Sequence, residues 1–65
     1  MKYAIYTVRD FRNILKHNGY MKERNAGDHE VWCKEGLPHI SIPNKSKNLN
    51  PMITRRLIKE NNLKV

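Results

Sequence analysis

His29 is the residue in this sequence best suited to acid-base chemistry. It follows a glycine and an aspartate, as Gly27-Asp28-His29, and it begins an apolar-polar run that continues to Cys33. A glycine two residues before such a run is typical of a tight turn that leads into a β-strand. Because histidine exchanges a proton near neutral pH, we expect His29 to act as a general base or acid at the start of a strand.

The charge of the chain indicates an anionic partner. Thirteen Lys and Arg oppose six Asp and Glu, which gives a formal charge of +7 over 65 residues. This balance favours phosphate backbones or anionic membranes. A membrane is disfavoured, because the sequence contains no long apolar segment and its last amphipathic stretch has no aromatic anchor. Nucleic acid is the favoured partner.

RNA offers a reaction that one histidine and nearby cations can catalyse. A base that removes the proton of a 2′-hydroxyl, with cations to stabilise the phosphorane-like charge, cleaves the strand without a metal. Lys22, Arg24 and Lys45 are candidates for holding the phosphate, since guanidinium and ammonium groups both bind phosphate oxygens. We also assign Gly27 in the turn, Lys47 and Arg55 to the predicted RNA-binding set, and Arg56 and Lys59 extend its positive charge.

The other histidines and the tryptophan have simpler interpretations. His17 is predicted to lie at a helix C-terminus, where a cation is favourable, and His39 at the exposed start of a strand. Trp32 is either a base-stacking residue or a core residue. Alternation along a strand places Trp32 on the face opposite His29 and Val31. We expect Val31 to point inward and Trp32 to be partly exposed.

The single cysteine, Cys33, limits the covalent and metal chemistry that the sequence predicts. One cysteine cannot form an internal disulfide, and a reducing, cytoplasmic location fits this composition. One Cys and three His at these spacings do not match a zinc site. We therefore predict no metal and no cofactor, and interpret Cys33 as a small buried hydrophobe.

The first helix is predicted from about Val8 to Asn18. Thr7 is the expected N-cap, with Asp10 at the third helical position. Four apolar residues recur at helical spacing and form one stripe: Val8, Phe11, Ile14 and Leu15. Gly19 ends the helix, because glycine adopts the left-handed conformation without steric cost.

The middle of the chain is predicted to form three antiparallel strands. The first covers residues 20–24, the second 29–34 and the third 39–42, with turns at 25–28 and 35–38 and a proline at position 43 that ends the last strand. Short turns between consecutive strands are typical of a meander.

A second helix is predicted after a polar, basic loop. Asn50 is the expected N-cap and Pro51 the first helical residue, with an apolar face of Met52, Ile53, Leu57 and Ile58. The order is helix, three strands, helix. It predicts one α+β domain over residues 1–65 with both helices on one face of the sheet, the order of a double-stranded-RNA-binding domain. Residues 1–6 are interpreted as a short leader or an extra edge segment.

Several motifs in residues 7–63 resemble the HicA family of toxin-antitoxin ribonucleases. The family shows a helix that ends in a Gly-aromatic pair, here Gly19-Tyr20, and an Arg before a Gly-Ser-His motif, here Arg24 and Gly27-Asp28-His29. A strand ending in Val-Pro follows, here Ile42-Pro43. The last helix ends in a Lys-Gln-Ala-Gly-Leu pattern, here residues 59–63. The differences are Asp28 for the usual serine, Asn44-Lys45 for a histidine after the proline, and Asn61-Asn62 for Ala-Gly.

The resemblance implies a double-stranded-RNA-binding-domain-like fold and a metal-independent endoribonuclease that cleaves mRNA. It also implies a cognate HicB-like antitoxin, and a positively charged surface would attract an acidic partner. In this interpretation His29 is the catalytic residue.

Two other function classes are consistent with the same composition. A non-catalytic RNA-binding module would use the same fold and charge without the acid-base group. A helix-turn-helix DNA-binding protein requires two helices joined by a short turn. This class is disfavoured, since about thirty residues with strand patterns separate the two predicted helices.

Overall fold

The computed structural model describes residues 4–65, and they begin with a well-capped helix. The helix, α1, spans Val8–His17. The Thr7 hydroxyl accepts a hydrogen bond from the backbone N–H of Asp10, and the Asp10 carboxylate accepts one from the backbone N–H of Thr7, which completes the predicted capping box. Gly19 has a positive φ of 86°. The chain therefore leaves α1 where the sequence predicted, because a side chain at this φ would be strained.

Three strands follow in a meander with the order β1-β2-β3, and all neighbours are antiparallel. They are β1, Met21–Ala26; β2, His29–Cys33; and β3, Ile40–Pro43. The turn between β1 and β2 is shorter than the predicted 25–28, because Ala26 pairs directly with His29. The two residues between them form a hairpin in which Gly27 has a φ of 59°. A glycine in the first central position is typical of a type II′ turn, whose twist matches the strands that flank it.

The helix α2, Pro51–Glu60, closes the domain. Asn50 caps it as predicted, since its side-chain oxygen accepts a hydrogen bond from the backbone N–H of Met52. The predicted apolar face of α2 is correct for Leu57 and Ile58, which pack against the core, but wrong for Met52 and Ile53. Met52 and Ile53 are 70% and 43% exposed, and the buried residue in the first turns is Thr54. The Thr54 hydroxyl remains satisfied by bonding to carbonyl oxygens of the preceding turn.

The hydrophobic core lies between the helices and one face of the sheet. Trp32, Ile40 and Ile42 share that face of the sheet. They pack in one cluster with Phe11 and Leu15 of α1, and Leu57 and Ile58 of α2 lie against the cluster. The structure thus confirms the α+β fold with α-β-β-β-α order. Other members of the cluster are Val8, Tyr20, Leu49 and Leu63.

The prediction for Trp32 is wrong. Trp32 is 1% exposed and belongs to the core, whereas Val31 lies on the other face of the sheet and is outside the core cluster. The indole N–H donates a hydrogen bond to the buried Glu30 carboxylate at 3.0 Å. The large ring therefore fills space beneath the helices without an unpaired donor, which satisfies the usual requirement for a buried tryptophan.

The face of the sheet turned away from the helices carries His29, and we call it the outer face. Its members are Met21, Arg24, Ala26, His29, Val31, Cys33, Ser41 and Pro43, as the strand register requires. Cys33 is half-buried rather than buried.

The segment before α1 runs beside the loop that precedes α2. The predicted segment 1–6 lies partly outside the described residues, which begin at Ala4. The Tyr6 carbonyl accepts a hydrogen bond from the backbone N–H of Leu49, and Thr7 forms a bridge with Asn48. Neither helix of the described part has the length and apolar character needed to cross a bilayer.

Candidate functional site

His29 lies at the start of the central strand, exposed on the outer face. Its register partners are Ala26 on β1 and Pro43 on β3. The backbone of His29 is thus held from both sides by neighbouring strands, while the imidazole remains open to a large substrate. A substrate as large as RNA can reach a side chain that is exposed in this way.

An ion pair joins α1 to the residue that follows His29 on the central strand. The next residue, Glu30, points to the helix side and is 1% exposed. The Arg12 guanidinium of α1 donates hydrogen bonds to both Glu30 carboxylate oxygens, at 3.0 and 2.9 Å from Nε, with a further contact from an Nη atom. The bonds from Arg12 hold the pKa of Glu30 below its usual value despite burial, and the Trp32 N–H acts in the same direction.

Asp28 is paired with a cation beside the candidate base. Its carboxylate lies 3.0 Å from the Lys45 Nζ, and both side chains are largely exposed. The Asp28 carbonyl also accepts a hydrogen bond from the backbone N–H of Asn44 at 2.8 Å, which holds the 44–48 loop against the hairpin turn. The structure therefore brings Lys45 to the end of the sheet where His29 lies, as a phosphate-binding role requires.

Arg24 lies on the outer face opposite Val31. Its guanidinium contacts the Glu23 carboxylate, and the other Glu23 oxygen lies 3.3 Å from the His39 Nε2. An irregularity in the β1–β2 register between Lys22 and Arg24 accounts for this arrangement. A β-bulge bends a strand and redirects its side chains, so Arg24 faces outward.

The remaining predicted RNA-binding residues are more dispersed. Lys22 pairs with Trp32 and so belongs to the helix side of β1, where it adds a small electrostatic contribution that lowers the pKa of Glu30. Arg55 is exposed on α2, in the helix layer. Gly27 forms the hairpin turn, and Lys47 is exposed in the 44–48 loop. The outer face and its hairpin end thus combine His29 with Arg24, Gly27 and Lys45, but not with Lys22 or Arg55.

Sequence reasoning missed the pair formed by Arg12 and Glu30. A glutamate within an apolar strand that also contains Trp32 was the available signal, because a carboxylate at such a position needs a partner. Its partner is 18 residues earlier on α1. Its identity therefore follows from how α1 packs on the sheet, not from spacing along the chain.

Comparison with known proteins identified one family. The family model described as the HicA toxin of bacterial toxin-antitoxin matches residues 8–63, which include both helices and all three strands. Searches of curated proteins and of solved structures found no match.

Proposed function

This chain belongs to the HicA toxin family of bacterial toxin-antitoxin systems, and from that premise we propose that it is an mRNA-cleaving endoribonuclease with His29 as the catalytic residue. The observation that carries the proposal is the position of His29: an exposed imidazole on a strand held from both sides, with cations on the same face and at the same end of the sheet. The family match covers this whole arrangement.

In the proposed reaction RNA supplies its own nucleophile. His29 removes the 2′-hydroxyl proton, the 2′-oxygen attacks the adjacent phosphorus, and the bond to the 5′-oxygen breaks. The imidazolium then returns the proton to the leaving 5′-oxygen. The products are a 2′,3′-cyclic phosphate and a 5′-hydroxyl, so atoms and charges balance without a metal. Acid-base catalysis of this kind contributes roughly 10²–10⁴-fold, and slow cleavage suffices where one cut inactivates a message.

Arg24 and Lys45 are the cations best placed to stabilise the phosphate in this proposal. Both are already paired with carboxylates, of Glu23 and Asp28 respectively. These pairs are exposed, and exposed pairs contribute only about 0–1 kcal/mol. A phosphate can therefore replace either carboxylate at little cost, and the cations are held near the outer face until RNA arrives.

Substitution of His29 by alanine tests the proposal. His29→Ala is expected to abolish cleavage of RNA and growth arrest on expression, while binding to RNA survives. His17→Ala is the matched control, because His17 is also exposed but lies at the end of α1. Cleavage that persists in His29→Ala would make the catalytic assignment wrong.

A modified substrate separates the enzyme from a binding module of the same fold. RNA with 2′-O-methyl groups throughout is expected to bind as well as ordinary RNA but to remain intact, since the nucleophile is blocked. If the wild-type protein binds both RNAs and cleaves neither, the chain is a non-catalytic RNA-binding module and our proposal fails.

The proposed partner is a HicB-like antitoxin that covers His29 and the basic surface. The net charge of +7 favours a partner with an acidic surface, and such association weakens with added salt. Its place of action would be the cytoplasm, where mRNA is translated and Cys33 remains reduced. Co-expression with the protein encoded next to this one should suppress growth arrest and yield a salt-sensitive complex.

A further inference from the structure

Three side chains with metal-binding atoms meet at the end of the outer face that is remote from His29. They are Glu23, Cys33 and His39, and one donor atom from each lies within 4.8 Å of the others. We propose that this cluster is a binding site for one Zn²⁺ ion. The inference uses the fold and these side chains only, so it does not depend on the proposed function.

The sheet brings these three residues together from separate segments. Trp32 pairs with Ile40 in the β2–β3 register, and continuing this register by one residue places His39 opposite Cys33. Glu23 comes from the other side of β2, at the irregularity in β1. The backbone positions of all three ligands are thus set by strand pairing rather than by one loop. Spacing along the chain could not reveal the site, because its third member comes from another strand and is a carboxylate.

The donor set matches the chemistry of zinc. Zn²⁺ binds thiolate sulfur, imidazole nitrogen and carboxylate oxygen, and sites with three protein ligands keep a fourth position for water. Tetrahedral bonding at the usual bond lengths places the donor atoms about 3.3–3.6 Å apart. The His39 Nε2 and Glu23 Oε2 atoms are already 3.3 Å apart. The sulfur lies within 4.8 Å of the other two donor atoms, so metal binding requires side-chain rotation that brings it to the same spacing.

The position of Cys33 distinguishes this cluster from an ordinary surface ion pair. The pairs that Glu23 makes with Arg24 and His39 are ordinary for a polar surface. The Cys33 sulfur adds nothing to such pairs, yet it lies within the same cluster and is only half-buried. On binding, the ion lies between the imidazole, the carboxylate and the sulfur, and the thiol loses its proton.

The zinc site is separate from the proposed catalytic residue. Cys33 follows His29 by four residues on β2, which corresponds to roughly 13 Å along an extended strand. No step of RNA cleavage is assigned to the ion. The alanine variant of His29 therefore serves as a control for metal binding, and failure of either proposal can be recognised without the other.

Cobalt substitution tests the site directly. Co²⁺ is added to the purified full chain, kept reduced with a phosphine, and the absorption spectrum is recorded. We expect one ion per chain, the visible bands of tetrahedral cobalt and a sulfur-to-cobalt charge-transfer band in the near ultraviolet. Zn²⁺ added afterwards should remove all of these bands, and calorimetry in two buffers should report proton release on Zn²⁺ binding.

Single variants identify the ligands. Cys33→Ser should lose the charge-transfer band. His39→Ala and Glu23→Gln should each weaken Zn²⁺ binding by at least about tenfold, while His29→Ala and His17→Ala bind as the wild type. Circular dichroism confirms that each variant is folded. Absence of the charge-transfer band in the wild type, unchanged affinity in His39→Ala, or a stoichiometry of one ion per two chains would overturn the proposal.

Discussion

Arg12 of α1 and Glu30 of β2 form an ion pair in which the guanidinium bonds to both carboxylate oxygens. The pair lies on the helix side of β2, the strand that carries His29. Glu30 is 1% exposed, whereas the Arg12 side chain keeps 38% of its surface exposed. The pair thus joins helix to sheet from the inside while its cation remains in contact with water. Trp32 provides a second donor to the same carboxylate.

Removal of the Arg12 side chain should destabilise the domain more than removal of any exposed arginine. Arg12→Ala leaves the Glu30 carboxylate buried with only the Trp32 donor. We expect a loss of about 2–3 kcal/mol in the free energy of unfolding, below the roughly 3–5 kcal/mol of a fully buried pair because Arg12 is partly solvated. Urea denaturation measures the change. Arg9→Ala, an exposed position on the same helix, is the control, and equal losses in the two variants would contradict the role given to the pair.

The same pair predicts a loss of stability in acid. The pKa of Glu30 is lowered in the folded protein, chiefly by the hydrogen bonds from Arg12, from a usual value of 4.5. A carboxylate whose pKa is lower in the folded than in the unfolded protein contributes its full stabilisation above the unfolded value, here 4.5. This stabilisation is lost as the pH falls from that value through the folded pKa. The free energy of unfolding should therefore decrease once the pH is lower than about 4.5.

The variant Glu30→Gln isolates this contribution from those of the exposed carboxylates. It should be less stable than the wild type at neutral pH, and the difference should shrink as the pH decreases below 4.5, the usual pKa of the group. A difference that stays constant from neutral to acidic pH would show that Glu30 does not carry the pH dependence.

Asp28 should weaken RNA binding, because its carboxylate competes with phosphate for Lys45. The two side chains are 3.0 Å apart and exposed. Asp28→Ser is expected to increase RNA affinity by about threefold to tenfold at low salt, with a smaller gain at higher salt. Glu35→Ser removes the same charge from an exposed turn away from His29 and should have a smaller effect. Fluorescence anisotropy with 2′-O-methyl RNA measures both, and equal gains would show that only net charge matters.

Gly27 provides the positive φ of the hairpin turn between β1 and β2. Its φ is 59°, and no atom lies within 4 Å of where a Cβ would be. Gly27→Ala should therefore cost about 1–2 kcal/mol through backbone strain alone, and Gly27→Asn should cost less, since asparagine tolerates this region. Thermal unfolding compares the two. If both variants retain wild-type stability but lose RNA affinity, Gly27 has a direct role in binding.

Local signals in the sequence determined which elements form and where they begin. Thr7 and Asn50 cap their helices, and Gly19 and Gly27 provide the positive φ that each turn needs. These interactions involve residues only a few positions apart, so they can be read along the chain. The motif around His29 also identified the family in which the chain is placed.

Tertiary structure alone decided which side of the sheet is buried and which distant residues meet. Alternation along β2 shows that Trp32 and Val31 face opposite ways but not which of them faces the helices. In the structure Trp32 packs in the core with Phe11 and Leu15, and its indole N–H donates to Glu30. The same limit applies to Glu23, Cys33 and His39, which strand pairing brings together. Such contacts depend on register and packing between elements far apart in the chain, and composition and spacing do not encode these explicitly.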